Sequence, residues 1–138
     1  MYKIIVTSHG KLAEGIVESL SYFMPNHKVE YISLDQNGIE DFKNRAAELL
    51  AAQQEEVPLL VFTDLFNGSP FNVFAQLLPK SGLTYDIVAG VSLPVLMEAA
   101  LQQEFAAIEN VLQTLKNVRT TVIYSEELLQ LSESNEDE

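Results

Sequence analysis

Five short runs rich in β-branched and apolar residues, each followed by a stretch with helical periodicity, constrain this chain more than any other feature of its sequence. Lys3 to Thr7 is the first run, and Leu12, Ile16, Leu20 and Phe23 follow it at helical spacing within Lys11 to Met24. Val29 to Leu34 is the second. Asn37 and Glu40 then stand at capping-box spacing ahead of Phe42, Ala46, Leu49 and Leu50. Val57 to Thr63 is nearly continuous in apolar residues, the pattern of a strand buried on both faces, and it ends at Asp64. Ser69-Pro70 reads as an N-cap with proline at the first helical position, opening a helix through Phe71, Phe74, Leu77 and Leu78. Asp86 to Ala89 is the fourth run. Ser92 and Pro94 open a further helical stretch, which runs on or breaks near Gln103 before Phe105, Ile108, Leu112 and Leu115. Arg119 to Tyr124 is the fifth run, and a short helical segment, Glu126 to Leu131, comes after it. This alternation is that of an α/β fold: an open, mainly parallel sheet with helices on both faces. Ligands of such sheets bind beyond the carboxyl ends of the strands, where the strand order reverses.

Composition narrows the class of function. A chain of 138 residues suits one domain, taken as 1–131, with an acidic tail over 132–138 that holds four acids and no base and is expected to be disordered. The absence of cysteine excludes disulfides, thiolate metal clusters and a cysteine nucleophile. Met1 to Val6 lacks the apolar core of a signal peptide. Ile87 to Leu101, interrupted by Gly90, Ser92, Pro94 and Glu98, is shorter than the roughly 20 residues that span a bilayer. A soluble, cytoplasmic protein not inserted in the membrane is expected. The net charge of −12 argues against nucleic acid, whose binding needs clustered Lys and Arg.

The strand ends carry the chemistry. The first ends in Thr7-Ser8-His9-Gly10, the third in Asp64-Leu65-Phe66-Asn67-Gly68-Ser69-Pro70, and the fourth in Ala89-Gly90-Val91-Ser92-Leu93-Pro94. Asp64 is the only formally charged residue between Val57 and Pro79. A carboxylate there needs a partner, because an unpaired buried charge is costly. With strand order 2-1-3-4 the first and third strands lie about 4.8 Å apart, and His9 comes within hydrogen-bond reach of Asp64. A carboxylate that accepts from one ring nitrogen fixes the tautomer and leaves the other nitrogen as a free lone pair, the design of an imidazole nucleophile or base. Position alone leaves the plainer reading open, in which His9 satisfies a loop carbonyl and Asp64 caps a turn. Ser69 suits an N-cap and equally an anion site built with the amides of a helix start. A Ser-His-Asp hydrolase is disfavoured, since Pro70 removes the backbone donor next to Ser69 and no Gly-x-Ser-x-Gly elbow is present. Neither a P-loop nor a dinucleotide fingerprint occurs. His27 reads as an exposed loop residue, and with two histidines far apart a metal site is unsupported.

Taken together, Ser8-His9-Gly10, Asp64-Leu65-Phe66-Asn67-Gly68-Ser69-Pro70-Phe71-Asn72 and Ala89-Gly90-Val91-Ser92-Leu93-Pro94 resemble the IIA component of the mannose family of the bacterial sugar phosphotransferase system. The resemblance runs through nearly the whole chain up to the fifth strand. It implies a phosphocarrier without cofactor or metal, a phosphotransferase that takes phosphoryl from the histidine phosphocarrier HPr on His9 and passes it to a IIB component for sugar uptake. The residue matching Asp64 would orient the histidine through Nδ1 so that phosphoryl resides on Nε2, with Ser69, Gly68 and Gly10 beside the phosphoryl group. It further implies a 2-1-3-4 parallel sheet whose antiparallel fifth strand is exchanged in a homodimer, and association with the membrane IIC and IID components rather than insertion. The family loop often reads Asp-Thr-Trp-Gly-Gly-Ser-Pro, whereas this chain places Leu65, Phe66 and Asn67 before Gly68. Asn tolerates positive φ, so the turn can survive. Two other readings stand beside it: a regulatory module with the same site residues, whose phosphorylation state is sensed by a partner, and the phosphoryl donor subunit of dihydroxyacetone kinase, which shares the strand-one histidine, although Gly68-Ser69-Pro70-Phe71-Asn72 favours the sugar system. The sugar is not legible, because a IIA component does not touch it. The strand ends are nearly free of formal charge, so the acidity is expected on helices and the tail, where it would steer basic partners such as HPr.

Overall fold

The structure, a computed structural model, describes residues 1–118 together with 126 and 130. The fifth strand expected at 119–124, most of the segment at 126–131 and the tail at 132–138 lie outside the described residues.

The apolar runs become four strands: β1 (Lys3–His9), β2 (Glu30–Leu34), β3 (Leu59–Thr63) and β4 (Tyr85–Ala89). All pair in parallel in the order β2-β1-β3-β4, which is the expected topology. β1 and β3 are the central pair, and every residue of β3 is buried, as its unbroken apolar pattern requires. Within residues 1–118, five α-helices connect and cover the strands: α1 (Leu12–Phe23), α2 (Gly38–Ala51), α3 (Ser69–Leu77), α4 (Leu93–Leu101) and α5 (Ile108–Asn117). The chain leaves β1 for β2 in one direction and returns past β1 to β3 in the other. Right-handed crossovers then put α1 on one face and α2 with α3 on the opposite one.

Two cores result. Ala13, Val17 and Leu20 of α1 pack with Leu96 and Ala99 of α4 and Val111 of α5 over Ile4, Val6, Leu60 and Phe62. Phe42 and Ala46 of α2 pack with Val73 and Phe74 of α3 over Ile5, Leu59 and Val61. Alternate residues of β1 thus feed opposite cores, the period of two expected of a strand covered on both sides. Phe42 and Phe74 meet edge to face at 6.1 Å.

Several boundaries differ from the sequence reading. β1 runs on to His9 because Ser8 and His9 still pair with Ser33 and Leu34 of β2, although their side chains are polar. β3 starts at Leu59, after Pro58, which has no amide to give to a ladder. The capping box at Asn37 does not form: its backbone is α-helical (φ −74°, ψ −8°) rather than extended, and its amide donates to Asp35 Oδ1 at 2.9 Å in a turn of its own. Ser69 is not the cap of α3; Gly68, extended at φ −72° and ψ 166°, holds that position and Ser69 is the first helical residue. Ser92 does cap α4, accepting from the Val95 amide at 3.4 Å. The helical stretch after it breaks at Leu101, and Phe105 points to solvent, 76% exposed, instead of joining the core.

Candidate functional site

β1 and β3 pair in register from Lys3 with Leu59 to Thr7 with Thr63, so the residues just beyond that register meet at the carboxyl edge of the sheet. The strand order reverses there. Oδ2 of Asp64 accepts two bonds from His9, one from its backbone amide at 2.9 Å and one from ring Nδ1 at 2.7 Å. Oδ1 accepts from the Leu65 amide at 2.9 Å. Burial alone would raise the Asp64 pKa, but the two hydrogen bonds from His9 and the one from the Leu65 amide outweigh it and hold the carboxyl below its ordinary value. Asp64 is therefore ionised, Nδ1 carries the proton it donates, and Nε2 keeps a lone pair bonded to no described residue. The Asp64 side chain is 8% exposed and that of His9 44%, so the orienting group is buried and the ring is open.

The loop after β3 closes against the ring. A Cβ at Gly68 would stand 2.9 Å from His9 Cε1, closer than such atoms approach, so glycine alone lets the backbone lie along this edge of the imidazole. Asn67 takes φ +63°, the left-handed conformation that Asn tolerates, and its carbonyl is held by Asn72 Nδ2 at 3.1 Å. Among the described residues, the amides of Ser69 and Phe71 in the first turn of α3 have no acceptor, and neither does the Ser69 hydroxyl. Gly10, at φ +57°, turns the chain from β1 toward α1, its amide donating to the Leu34 carbonyl at 2.7 Å. Ser8, buried on the other face, accepts from the Ala13 amide at 2.7 Å and so anchors the start of α1.

Each site residue expected from the sequence is thus at one place: His9, Asp64, Gly10, Gly68 and Ser69 all border the carboxyl edge of the β1/β3 pair. Sequence reasoning missed the steric demand at Gly68, the Asn72 brace and the pairing of Phe66 with Phe71 at 5.1 Å, which leaves Phe66 70% exposed beside the site. His27 was expected exposed; it is half-buried, with Nδ1 accepting from the Val29 amide at 3.0 Å and Nε2 lying 2.8 Å from Ser21 Oγ, whose own proton goes to the Val17 carbonyl. A backbone donor on Nδ1 puts the ring proton on Nε2, which donates it to Ser21, so neither nitrogen is free. Among the described residues no three His, Asp or Glu side chains gather as a metal cage, and no helix is long and apolar enough to cross a membrane.

Comparison with known proteins gives the site a context. The profile of the EIIA-man family, described as PTS system fructose IIA component, matches residues 3–116. A fructose-specific EIIA component of the phosphotransferase system of Bacillus subtilis (strain 168) is 26% identical over 141 aligned positions, covering 99% of this chain and 96% of its own length. A sorbose-specific EIIA component of Lacticaseibacillus casei is 25% identical, with 85% of each chain covered. The crystal structure of a phosphotransferase system component EIIA from Streptococcus agalactiae superposes with a TM-score of 0.73 at 28% identity, covering 84% of this chain and 90% of that one.

Proposed function

The chain belongs to the EIIA-man family of phosphotransferase-system IIA components and is a phosphocarrier of a sugar phosphotransferase system; from that premise we propose that His9 is its phosphoryl acceptor. The observation that carries this reading is the Nδ1 bond to Asp64, which leaves Nε2 with its lone pair on an open ring. The Nε2 lone pair attacks phosphorus of phospho-HPr, a new P–N bond forms as the donor's P–N bond breaks, and the donor imidazole departs with the electron pair. The same exchange, run toward a IIB component, returns Nε2 to its free state. The developing positive charge on the ring is met by Asp64, which keeps Nδ1–H as its donor throughout. Such a transfer depends on in-line placement and on donors to the phosphoryl oxygens more than on covalent help. The unpaired Ser69 and Phe71 amides and the Ser69 hydroxyl are the donors suited to that task, with Gly68 and Gly10 keeping the backbone slim beside the ring. No Lys or Arg is needed: a deep anion clamp would trap phosphohistidine and stall the relay.

The working unit in this proposal is a cytoplasmic homodimer that meets the membrane IIC and IID components through IIB. β4 is the outer strand of the described sheet, its five residues Tyr-Asp-Ile-Val-Ala only half covered. A cavity of about 560 Å³ flanks it, where Ile87, Val88, Leu112 and Leu115 meet the polar Asp86, Glu109, Gln113 and Lys116. The outer strand of the described sheet is where another strand can add.

The test is incubation with phosphoenolpyruvate, enzyme I and HPr. An acid-labile, base-stable adduct is expected on the wild type and absent from His9→Ala, whereas labelling that persists in His9→Ala would sink the assignment.

A further inference from the structure

Beneath the His9–Asp64 pair the sheet holds two hydroxyls that no other feature of the fold explains. Thr7 and Thr63 are fully buried, and neither Oγ1 bonds to another described residue. They are register partners on adjacent parallel strands, so their side chains leave the same face of the sheet side by side. That face carries Ile5 and Val61 one step earlier on each strand, packed against Phe42, Val73 and Phe74. Valine has the shape of threonine and would extend both apolar columns without burying a polar group, so packing and strand propensity favour Val at both positions. Two unpaired hydroxyls side by side, in a chain that satisfies the hydroxyl of its equally buried neighbour Ser8, point to a shared polar occupant. Both groups are neutral and each can donate and accept. A single water molecule matches that chemistry, with two donors and two acceptors, while a cation or anion would find no compensating charge.

Their location gives the occupant a task. Thr7 lies two residues before His9 on the same face of β1, and Thr63 immediately precedes Asp64. We propose that Thr7 and Thr63 jointly hold one buried water at the floor of the site, and that this bridged pair is a positioning device that sets the spacing of the β1 and β3 ends across which Asp64 grips His9. The inference rests on the reading of His9 as the phosphoryl acceptor for its consequence in transfer, but not for the water itself.

A high-resolution crystal structure of the full chain should show one water within hydrogen-bond distance of both Oγ1 atoms; a dry pair, or a direct bond between the two hydroxyls, overturns the proposal. The functional arm compares Thr7→Val/Thr63→Val with Thr7→Ser/Thr63→Ser, each single variant serving if the double valine does not fold. The valine pair should lower the turnover of transfer from phospho-HPr about tenfold with KM unchanged, since a small displacement of the nucleophile acts on the chemical step. It should also shift the His9 Nδ1–H proton resonance upfield as the bond to Asp64 lengthens. The serine pair should restore both. Wild-type turnover together with an unmoved resonance in the valine pair overturns the positioning role. If wild-type His9 takes no label at all, the phosphocarrier reading of His9 has failed, while the crystal and the resonance still decide the inference.

Discussion

The two histidines of this chain are wired in opposite senses. His9 gives its Nδ1 proton to a carboxylate and keeps Nε2 free, whereas His27 accepts a backbone amide on Nδ1 and spends Nε2–H on Ser21. Chemistry at a histidine is decided by such partners, and only His9 is left with an available lone pair. Asp64→Asn presents an amide that can donate as well as accept, so it no longer fixes the tautomer. Transfer should slow by about 10²-fold in this variant while thermal unfolding shows an intact fold. Gly68→Ala tests distance instead: its methyl group would press on His9 Cε1 and push the ring from the line of transfer. A loss of about tenfold or more in turnover is expected, and wild-type turnover would show that the loop yields freely. His9 and Asp64 were legible in the sequence because polar residues at the ends of apolar runs stand out without coordinates. Gly68 was legible only as a turn residue, since its closeness to the ring depends on how His9 and Asp64, 55 positions apart, are brought together. Thr7 and Thr63 were silent, because threonine is at home in any strand.

At the scale of the elements, the alternation of strand and helix was legible as far as α5, and the departures fell on caps and boundaries. Asn37 and Ser69 have the chemistry of an N-cap, but capping also demands an extended backbone, and the Asp35 turn and the Gly68 loop set that backbone differently. Ser92, extended at φ −138° and ψ 162°, satisfies both conditions. Ser92→Ala should therefore cost about 1 kcal/mol in urea unfolding, and Asn37→Ala should stay within about 0.5 kcal/mol of the wild type. The start of β1 is fastened across the molecule, with the Tyr2 amide donating to the Gln103 carbonyl at 3.1 Å and the Tyr2 hydroxyl to the carbonyl of Ala99. Burial, with Glu98 nearby, pushes this phenol from 10.0 up to about 12. A raised pKa in the folded state favours the protonated form, so its contribution is complete below about 10 and lost as pH rises toward 12. Stability should fall by on the order of 2 kcal/mol across that window, and Tyr2→Phe should flatten this part of the pH profile.

For the whole molecule, the balance of 8 basic and 20 acidic residues gives a field that extends beyond any one contact. The ring of His9 borders a loop without Lys or Arg, so in the proposed transfer the field acts on encounter rather than at the ring. Raising the salt from 50 to 500 mM should lower kcat/KM for transfer from a basic donor several-fold while leaving kcat nearly constant, a split readable in steady-state kinetics. The central pairing of β1 with β3 has one more consequence. His9 emerges early during synthesis and Asp64 much later, after α1, β2 and α2 have been made, so local structure can form long before the His9–Asp64 pair exists. Closing that long loop is the costly step of folding for a sheet of this topology. With His9 as the proposed acceptor, competence to take a phosphoryl group reports on the last contacts to form, and in a refolding experiment the return of labelling should trail the return of helical signal.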